Sequence, residues 1–202
     1  MNKLIVASHN SGKVREIADE LKSHHIKVLA LCEFDISAVA ETACTFVENA
    51  LIKARHACLH TGLPALADDS GLEVDALKGQ PGIYSARYAG EHATDTMNNA
   101  KLLTALEAVP EERRQARYQC VMVFLRAVDD PTPLICQGTW EGTILSYPQG
   151  EGGFGYDPLF YIPKLECTAA ELDLTKKNKL SHRGQALKAM LPGITDFFQS
   201  HP

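Results

Sequence analysis

The chain has 202 residues, of which 45% are hydrophobic and 22% charged, and its formal net charge is −5. This length and composition are typical of one globular domain with a sizeable core. The acidic balance excludes binding to nucleic acid polymers or anionic membranes through overall charge, so a polyanionic ligand would need a locally basic pocket or a metal ion.

The cysteines and the N-terminus indicate the compartment. The six cysteines are scattered and form no Cys-x-x-Cys pair, so we expect reduced thiols rather than a disulfide scaffold. The apolar run at residues 4–7 is too short for a signal peptide, and no later run is long enough to span a bilayer. These features predict a cytoplasmic protein that does not associate with membranes.

Short apolar runs and helical periodicities alternate along the chain. They predict strands over residues 4–7, 26–31, 64–67, 116–127, 134–145 and 158–162. Helices are predicted from residue 13, from residue 45 to about residue 61, over 95–106 and from residue 182, with a helical turn over 168–172. A turn at residues 129–131 makes the fourth and fifth strands an antiparallel pair. The prediction is an α/β fold with a long mixed β-sheet flanked by helices, in a single domain over residues 1–202.

The first strand enters the first helix through a polar turn. The turn and the first helical residue are Ser8, His9, Asn10, Ser11, Gly12 and Lys13. Backbone N–H groups at such an entry favour an anion, and Asn10 and Lys13 could add a donor and a charge. The loop is not a Walker A motif, because Ala7 and Val14 stand where that motif needs Gly and Ser or Thr. The alternative is an ordinary helix start.

Two adjacent carboxylates follow the apolar run at residues 64–67. Asp68 and Asp69 should point to opposite sides of an extended chain, so that one can face a cleft while the other supports it from behind. Ser70-Gly71 predicts a turn directly after them. A hydrated turn is the alternative interpretation of this pair.

A third acidic residue lies in a loop before the helix that begins near residue 45. Thr45 and Glu48 match a capping box at that helix start. Glu41 precedes the box and could approach Asp69. Lys53 lies inside the helix, four residues after Asn49 and on the same face. The alternative is that Asn49 and Lys53 are simply solvated.

Glycines and aromatic residues alternate in residues 150–158. Glycines let a ligand approach the backbone, and Phe154 and Tyr156 offer rings on which a base could stack. A flexible hairpin loop is the alternative. The basic run at residues 176–179 is of a kind that is usually solvated. His182 and Arg183 then open the last helix, where positive charge opposes the helix dipole, so a bound anion or a polar base edge nearby is expected.

Together, these motifs resemble those of the noncanonical purine nucleoside triphosphate pyrophosphatases, also called inosine triphosphate pyrophosphatases. The resemblance spans nearly the whole chain and rests on residues 8–13, 41–50, Lys53, 67–72, 81–88, 153–158, Lys177 and 181–183. One departure is Ala43, where the family usually has Gly. If that position requires a positive φ, alanine would be strained there.

The resemblance implies a homodimeric protein with two lobes around a central cleft. It implies Mg²⁺-dependent hydrolysis of ITP, dITP and XTP to the monophosphate and pyrophosphate, which keeps deaminated purines out of DNA and RNA. Glu41 and Asp69 would bind Mg²⁺, which prefers one or two carboxylates in proteins. Asp69 would also accept the proton of the attacking water, with Asp68 as its support.

The remaining expected roles divide between the two ends of the nucleotide. Asn10, Lys13 and Lys53 would hold phosphate oxygens, and Ser70 would contact the substrate. At the base end, donors to the keto oxygen O6, an acceptor and a stacking ring are expected. The residues expected to contact substrate are Ser8, His9, Asn10, Ser11, Gly12, Lys13, Lys53, Ser70, Phe154, Gly155, Tyr156, Asp157, Lys177, His182 and Arg183.

Two rival functions remain open from the sequence. A nucleotide-binding sensor without turnover would keep the 154–157 loop but would not need both Glu41 and Asp69. A pyrophosphatase acting on modified pyrimidine nucleotides would not need the set at residues 181–183. The products released from a panel of nucleotides distinguish all three functions.

Overall fold

The computed structural model of the chain describes residues 2–200. Within this range, the strands are β1 (Asn2–Val6), β2 (Ile26–Ala30), β3 (Ala65–Val74), β4 (Gln115–Leu125), β5 (Leu134–Ile144), β6 (Phe160–Ile162) and β7 (Cys167–Thr168). The α-helices are α1 (Ser11–Lys22), α2 (Phe46–Thr61), α3 (Asp95–Ala105), α4 (Leu174–Leu180) and α5 (His182–Ser200). Shorter 3-10 turns cover Leu31–Phe34, Asp75–Leu77, Gly82–Arg87, Glu111–Arg113 and Ala169–Glu171.

The strands form one seven-stranded sheet in the order β2-β1-β3-β4-β5-β6-β7. β1 runs parallel to both β2 and β3, whereas β6 runs antiparallel to both β5 and β7. The predicted mixed sheet flanked by helices is therefore confirmed, and β4 and β5 are neighbours as the turn between them predicted. None of the helices between residues 2 and 200 is long and apolar enough to cross a membrane.

Internal contacts divide the described chain into two compact units. The first unit comprises residues 2–69, 120–138 and 183–200, and the second comprises 70–119 and 139–182. The boundary falls inside β3, between Asp69 and Ser70.

Strand alternation organises the core of the first unit. Successive side chains of a strand point to opposite faces, so Leu4 and Val6 join one apolar cluster while Ile5 joins another. The first cluster contains the inner sides of α1 and α5, including Ile17 and Leu187. The second cluster contains the small residues of α2, which are Ala50, Ala54, Ala57 and Cys58. Each face of these strands is thus covered by helices of this unit.

A separate apolar cluster forms the core of the second unit. It joins the end of β3 to the inner face of α3 and to aromatic residues of β4, β5 and β6. The largest members are Leu72, Leu102, Leu106, Tyr118, Trp140, Tyr156 and Phe160.

The predicted turn at Ser70-Gly71 is wrong, because β3 continues through both residues to Val74. The glycine is needed for a close approach instead. A Cβ on Gly71 would lie 2.2 Å from the carbonyl oxygen of Gly82 and 2.7 Å from Ser85 Oγ. Ser85 Oγ accepts a hydrogen bond from the N–H of Leu72 at 2.8 Å, which ties the Gly82–Arg87 turn to the strand. A glycine inside a strand often marks such a backbone approach.

The basic run at residues 176–179 is only partly solvated, because Lys176 and Lys179 are exposed whereas Lys177 is buried. It lies in α4, which the sequence analysis missed, and Asp173 caps that helix by accepting from the N–H of Lys176. Lys177 is buried although its three neighbours carry the exposed and half-buried face. Burial of a lysine requires a charged partner, which is described below.

Candidate active site

The two adjacent carboxylates of β3 lie on opposite faces of the strand, as the sequence predicts. Leu66 packs in the cluster of α1 and α5, and Ala67 packs in the cluster of α2. The alternation continues for two more residues, so Asp68 faces α1 and α5 while Asp69 faces α2. Both residues lie within β3 and not at its end, so the hydrogen-bonding pattern of the sheet fixes the directions of their side chains.

Asp68 is the centre of a buried charge network. Its Oδ1 accepts from Lys13 Nζ of α1, and its Oδ2 accepts from Arg183 Nε of α5 at 3.0 Å. Cys120 Sγ also lies 3.0 Å from Oδ2. Arg183 reaches a second carboxylate, since its Nη1 donates to Glu16 Oε2 at 2.5 Å. Two carboxylates therefore face one lysine and one arginine in this network.

Neighbouring cations fix the charge state of Asp68. Complete burial would raise the pKa of its carboxyl group, but Arg183, Lys13 and Lys53 outweigh burial and hold the pKa well below its usual range. Burial in turn would lower the pKa of Arg183, and the charges of Asp68 and Glu16 raise it instead. Asp68 is thus an ionised carboxylate that holds cations in place, which agrees with its expected supporting role.

Asp69 has a different environment on the other face. Its Oδ1 accepts from Lys53 Nζ at 2.7 Å, and the same ammonium donates to Glu41 Oε1 at 2.9 Å. Burial raises the pKa of Asp69, and the nearby charge of Lys53 offsets this only in part. The two adjacent carboxyl groups therefore have pKa values shifted in opposite directions, a pattern that separates a proton acceptor from an electrostatic support.

The donor set on this face fits a magnesium ion. Asp69 Oδ2 is buried and has no hydrogen-bond partner within residues 2–200, and an orphaned carboxylate oxygen is a natural Mg²⁺ ligand. Glu41 lies in the same arrangement, joined to Asp69 through Lys53. No group of three or more His, Cys, Asp or Glu side chains in the described range is arranged as a metal site. Mg²⁺ sites usually use one or two carboxylates of the protein and complete the shell with water and phosphate oxygens.

The loop between β1 and α1 is more ordered than the sequence predicts. Asn10 is the N-cap of α1, and its Oδ1 accepts from the N–H groups of Gly12 and Lys13 at 2.9 and 3.1 Å. These two amides, expected to be open to an anion, are therefore already bound. Ser8 Oγ accepts from the N–H of Asn10, and His9 Nε2 lies 3.0 Å from the carbonyl oxygen of Ile36. Ser11, exposed, is the first residue of the helix.

The segment at the start of α2 contains the predicted capping residues and Ala43. Thr45 and Glu48 form the predicted capping contact, with Thr45 Oγ1 accepting from the N–H of Glu48 at 3.3 Å. Ala43 is not among the non-glycine residues with a positive φ, and its N–H donates to Asn49 Oδ1 at 3.0 Å. Alanine is therefore unstrained where the family usually has glycine. Asn49 is buried, so it is not a solvated partner of Lys53.

A second charged cluster lies within the second unit. Asp157 Oδ2 accepts from Lys177 Nζ at 2.7 Å and from the N–H of Phe154 at 2.9 Å. Asp157 Oδ1 accepts from the hydroxyl of Tyr118 at 3.3 Å. Lys177 Nζ also lies 4.5 Å from the centre of the Phe154 ring. The predicted residues Phe154, Asp157 and Lys177 are therefore brought together, and a base that stacks on Phe154 has to use the face opposite Lys177.

Tyr118 completes this cluster, and the sequence analysis missed it. Its ring stacks on the imidazole of His182 with centroids 4.6 Å apart and planes 10° from parallel. Burial and the neighbouring charge of Asp157 raise the pKa of Tyr118 well above its usual range, so the hydroxyl stays a donor. A buried tyrosine usually finds a partner for its hydroxyl. The sequence could have indicated by this rule that Tyr118 has a polar partner. It could not identify Asp157 as that partner, because the two residues are 39 positions apart.

Tyr156 contradicts the expectation of an open stacking ring. It is 3% exposed, packs in the core of the second unit and donates from its hydroxyl to the carbonyl oxygen of Ser85 at 2.8 Å. Gly155 is held by hydrogen bonds to α3 on both its N–H and its carbonyl oxygen. Ser70 is a half-buried residue of β3.

The structure separates the expected residues into two sets. The first unit brings together Lys13, Glu41, Lys53, Asp68, Asp69 and Arg183, with Glu16 and Cys120 as residues that the sequence analysis missed. The second unit brings together Phe154, Asp157, Lys177 and His182 with Tyr118. Arg183 was expected at the base end, but its guanidinium is directed to Asp68 and Glu16 because a fully buried cation requires carboxylate partners.

Comparisons with known proteins find relatives that match nearly the whole chain. The model of the Ham1 family matches residues 4–193. A dITP/XTP pyrophosphatase of Vibrio parahaemolyticus is 60% identical over 195 residues, which cover 96% of this chain and 98% of that protein. A dITP/XTP pyrophosphatase of Photobacterium profundum is 56% identical over 97% of this chain and 100% of its own. The solved structure of a HAM1 protein from Coxiella burnetii is 50% identical, with a TM-score of 0.88 over 97% of this chain and 100% of that one.

Proposed function

The chain belongs to the Ham1 family, and on that premise we propose that it is a nucleoside triphosphate pyrophosphohydrolase acting on deaminated purine nucleotides. Its substrates would be ITP, dITP and XTP, and its products the monophosphate and pyrophosphate. Such an enzyme clears these nucleotides from the pool before a polymerase can incorporate them. The cytoplasm, which holds that pool, is the proposed compartment.

The observation that carries the proposal is the pair of adjacent carboxylates with opposite environments. Hydrolysis needs a base that can take a proton from water near neutral pH, and a carboxylate becomes a better base when its pKa rises. Asp69 would take this role, because burial raises its pKa and Lys53 holds its Oδ1 in place. Asp68, with its lowered pKa, remains a fixed negative charge that orients Lys13.

The cations of the first unit suit the phosphate end of a triphosphate. The Lys53 ammonium is held between Asp69 and Glu41, and the Lys13 ammonium is held by Asp68. Charges held in fixed positions stabilise the negative charge that grows on a leaving pyrophosphate without having to reorganise first. Asp69 and Glu41 would hold Mg²⁺. When bound, this ion would neutralise phosphate oxygens and polarise the phosphorus for attack.

The cluster of the second unit suits a purine base with a keto oxygen at position 6. Phe154 would supply the ring face away from Lys177 for stacking, and His182 would supply a donor for O6. Adenine presents an amino group in place of the keto oxygen, so buried donors facing it would lack an acceptor. Such mismatches discriminate between substrates by about 10⁴-fold or more.

Product analysis on a nucleotide panel tests the proposal. The purified chain should release pyrophosphate from ITP, dITP and XTP with Mg²⁺ present, and much less from GTP, ATP, UTP and dTTP. Excess EDTA should abolish the release, and added Mg²⁺ should restore it. Release of orthophosphate, a preference for UTP or dTTP, or binding without turnover would overturn the assignment.

The oligomeric state follows from the family resemblance. We propose a homodimer, and light scattering of the chain at micromolar concentration should give twice the monomer mass. A monomer mass that does not change with concentration would contradict it.

A further inference from the structure

We infer that helix α3 positions the glycine-rich loop at residues 150–157 through two side chains, Asp95 and Asn99. The inference rests on the proposed function, because the loop carries Phe154 of the base-binding cluster. Asp95 and Asn99 are positioning residues, since neither belongs to that cluster.

The two side chains bind opposite polar groups of one residue. Asp95 Oδ2 accepts from the N–H of Gly155 at 2.7 Å, and Asn99 Nδ2 donates to its carbonyl oxygen at 2.8 Å. The spacing of four residues places both on the same face of α3. One helix therefore holds both backbone groups of a glycine at least 56 positions further along the chain.

Gly155 has no side chain through which the loop could be held at this position. The residue has φ +64°, a region in which glycine is unstrained, and a Cβ there would meet no atom within 4 Å. The hydrogen bonds to Asp95 and Asn99 therefore add a restraint that no side chain of residue 155 supplies.

The same contacts fix the ring of Phe154. Its own N–H is bound to Asp157, and the next N–H along the chain, that of Gly155, is bound to Asp95. The amides before and after its Cα are thus both anchored. If they were released, the ring would occupy its binding position for only part of the time, and the apparent dissociation constant of a stacked base would rise in inverse proportion to that fraction.

Kinetics of single variants test the inference on the full chain. Asp95→Ala and Asn99→Ala should each raise KM for ITP about two- to tenfold, the range expected for one net hydrogen bond, with kcat within about twofold of wild type. Asp95→Asn removes the charge but keeps an acceptor for the Gly155 N–H, so it should restore most of the wild-type KM. Thr104→Ala is the matched control, because Thr104 Oγ1 bonds only within α3, to the carbonyl oxygen of Ala100.

Hydrogen exchange measures the loop independently of activity. Amides of residues 154–156 should exchange faster in Asp95→Ala and Asn99→Ala than in wild type, and at the wild-type rate in Thr104→Ala. If wild type hydrolyses no nucleotide, the proposed function fails, while the exchange data still decide whether α3 restrains the loop. If wild type is active, three results would each overturn the inference. These are an unchanged KM with unchanged exchange, a lower melting temperature without a change in KM, and equal defects in Asp95→Asn and Asp95→Ala.

Discussion

Replacing each of the two adjacent aspartates by asparagine should have opposite consequences. Asp69→Asn keeps the shape of the side chain and removes its basicity. The loss of a positioned base lowers kcat/KM by about 10²- to 10⁴-fold. Stability should fall less than in Asp68→Asn, because Lys53 loses a charged partner but the raised pKa of Asp69 means that the folded protein disfavours its ionised form.

Asp68→Asn removes the carboxylate that Arg183 and Lys13 share. The Asp68 side chain has no exposed surface and that of Arg183 is 3% exposed. Breaking a buried ion pair from one side costs about 3–5 kcal/mol, because the other charge stays buried. For a chain of this size 1 kcal/mol corresponds to about 2–4 °C, so the melting temperature should fall by about 6–20 °C. Melting curves and pyrophosphate release are measured on both variants and on wild type.

The direction of each pKa shift determines how the contribution of that aspartate to stability changes with pH. The lowered pKa of Asp68 means that its stabilising contribution is present above 3.8, the ordinary value, and is lost as the pH falls through the folded pKa. The raised pKa of Asp69 means that its cost appears as the pH rises above 3.8 toward the folded value. Both differences from wild type should therefore shrink in acid. A large loss of stability in Asp69→Asn, with none in Asp68→Asn, would refute the assignment of the two roles.

Four further substitutions test other parts of the site and fold. Lys13→Ala and Lys53→Ala should reduce kcat/KM for ITP and XTP by the same factor, because phosphates are common to both; a changed ITP-to-XTP ratio would place these lysines at the base end. Arg183→Ala should lower the melting temperature and reduce activity on ITP and ATP alike, because its partners are carboxylates; a selective loss on ITP with normal melting would return it to the base end. Gly71→Ala should yield little folded protein by circular dichroism, since its Cβ would lie 2.2 Å from the Gly82 oxygen; wild-type expression and melting would contradict the strand packing.

Local rules predicted much of the first unit. Alternation in an extended chain predicted that Asp68 and Asp69 face opposite ways, and the capping box predicted the start of α2 at Thr45. Both depend on neighbours within a few residues. The charge state of each aspartate does not, because it is fixed by helices that arrive from distant parts of the chain.

The errors have the same origin. The pair Ser70-Gly71 predicts a turn from local sequence alone. The close approach of Gly82, which requires a glycine at residue 71, arises only after folding. The basic run at residues 176–179 predicts solvated side chains, and Lys177 alone is buried because its partner is a carboxylate 20 residues away. The place of Arg183 in a helix start leaves its charge unexplained in the sequence, and Asp68 and Glu16 account for that charge. Its contact with a base stays a prediction.

The order of the segments that make up the first unit has a consequence for the newborn chain. Asp68 and Glu16 precede α5 in the chain, and α5 carries the guanidinium that both of them bind. Closing the core before α5 leaves the ribosome would bury both carboxylates without that guanidinium, with Lys13 bound to Asp68 alone. We therefore expect the first unit to close its core only after α5 has been synthesised.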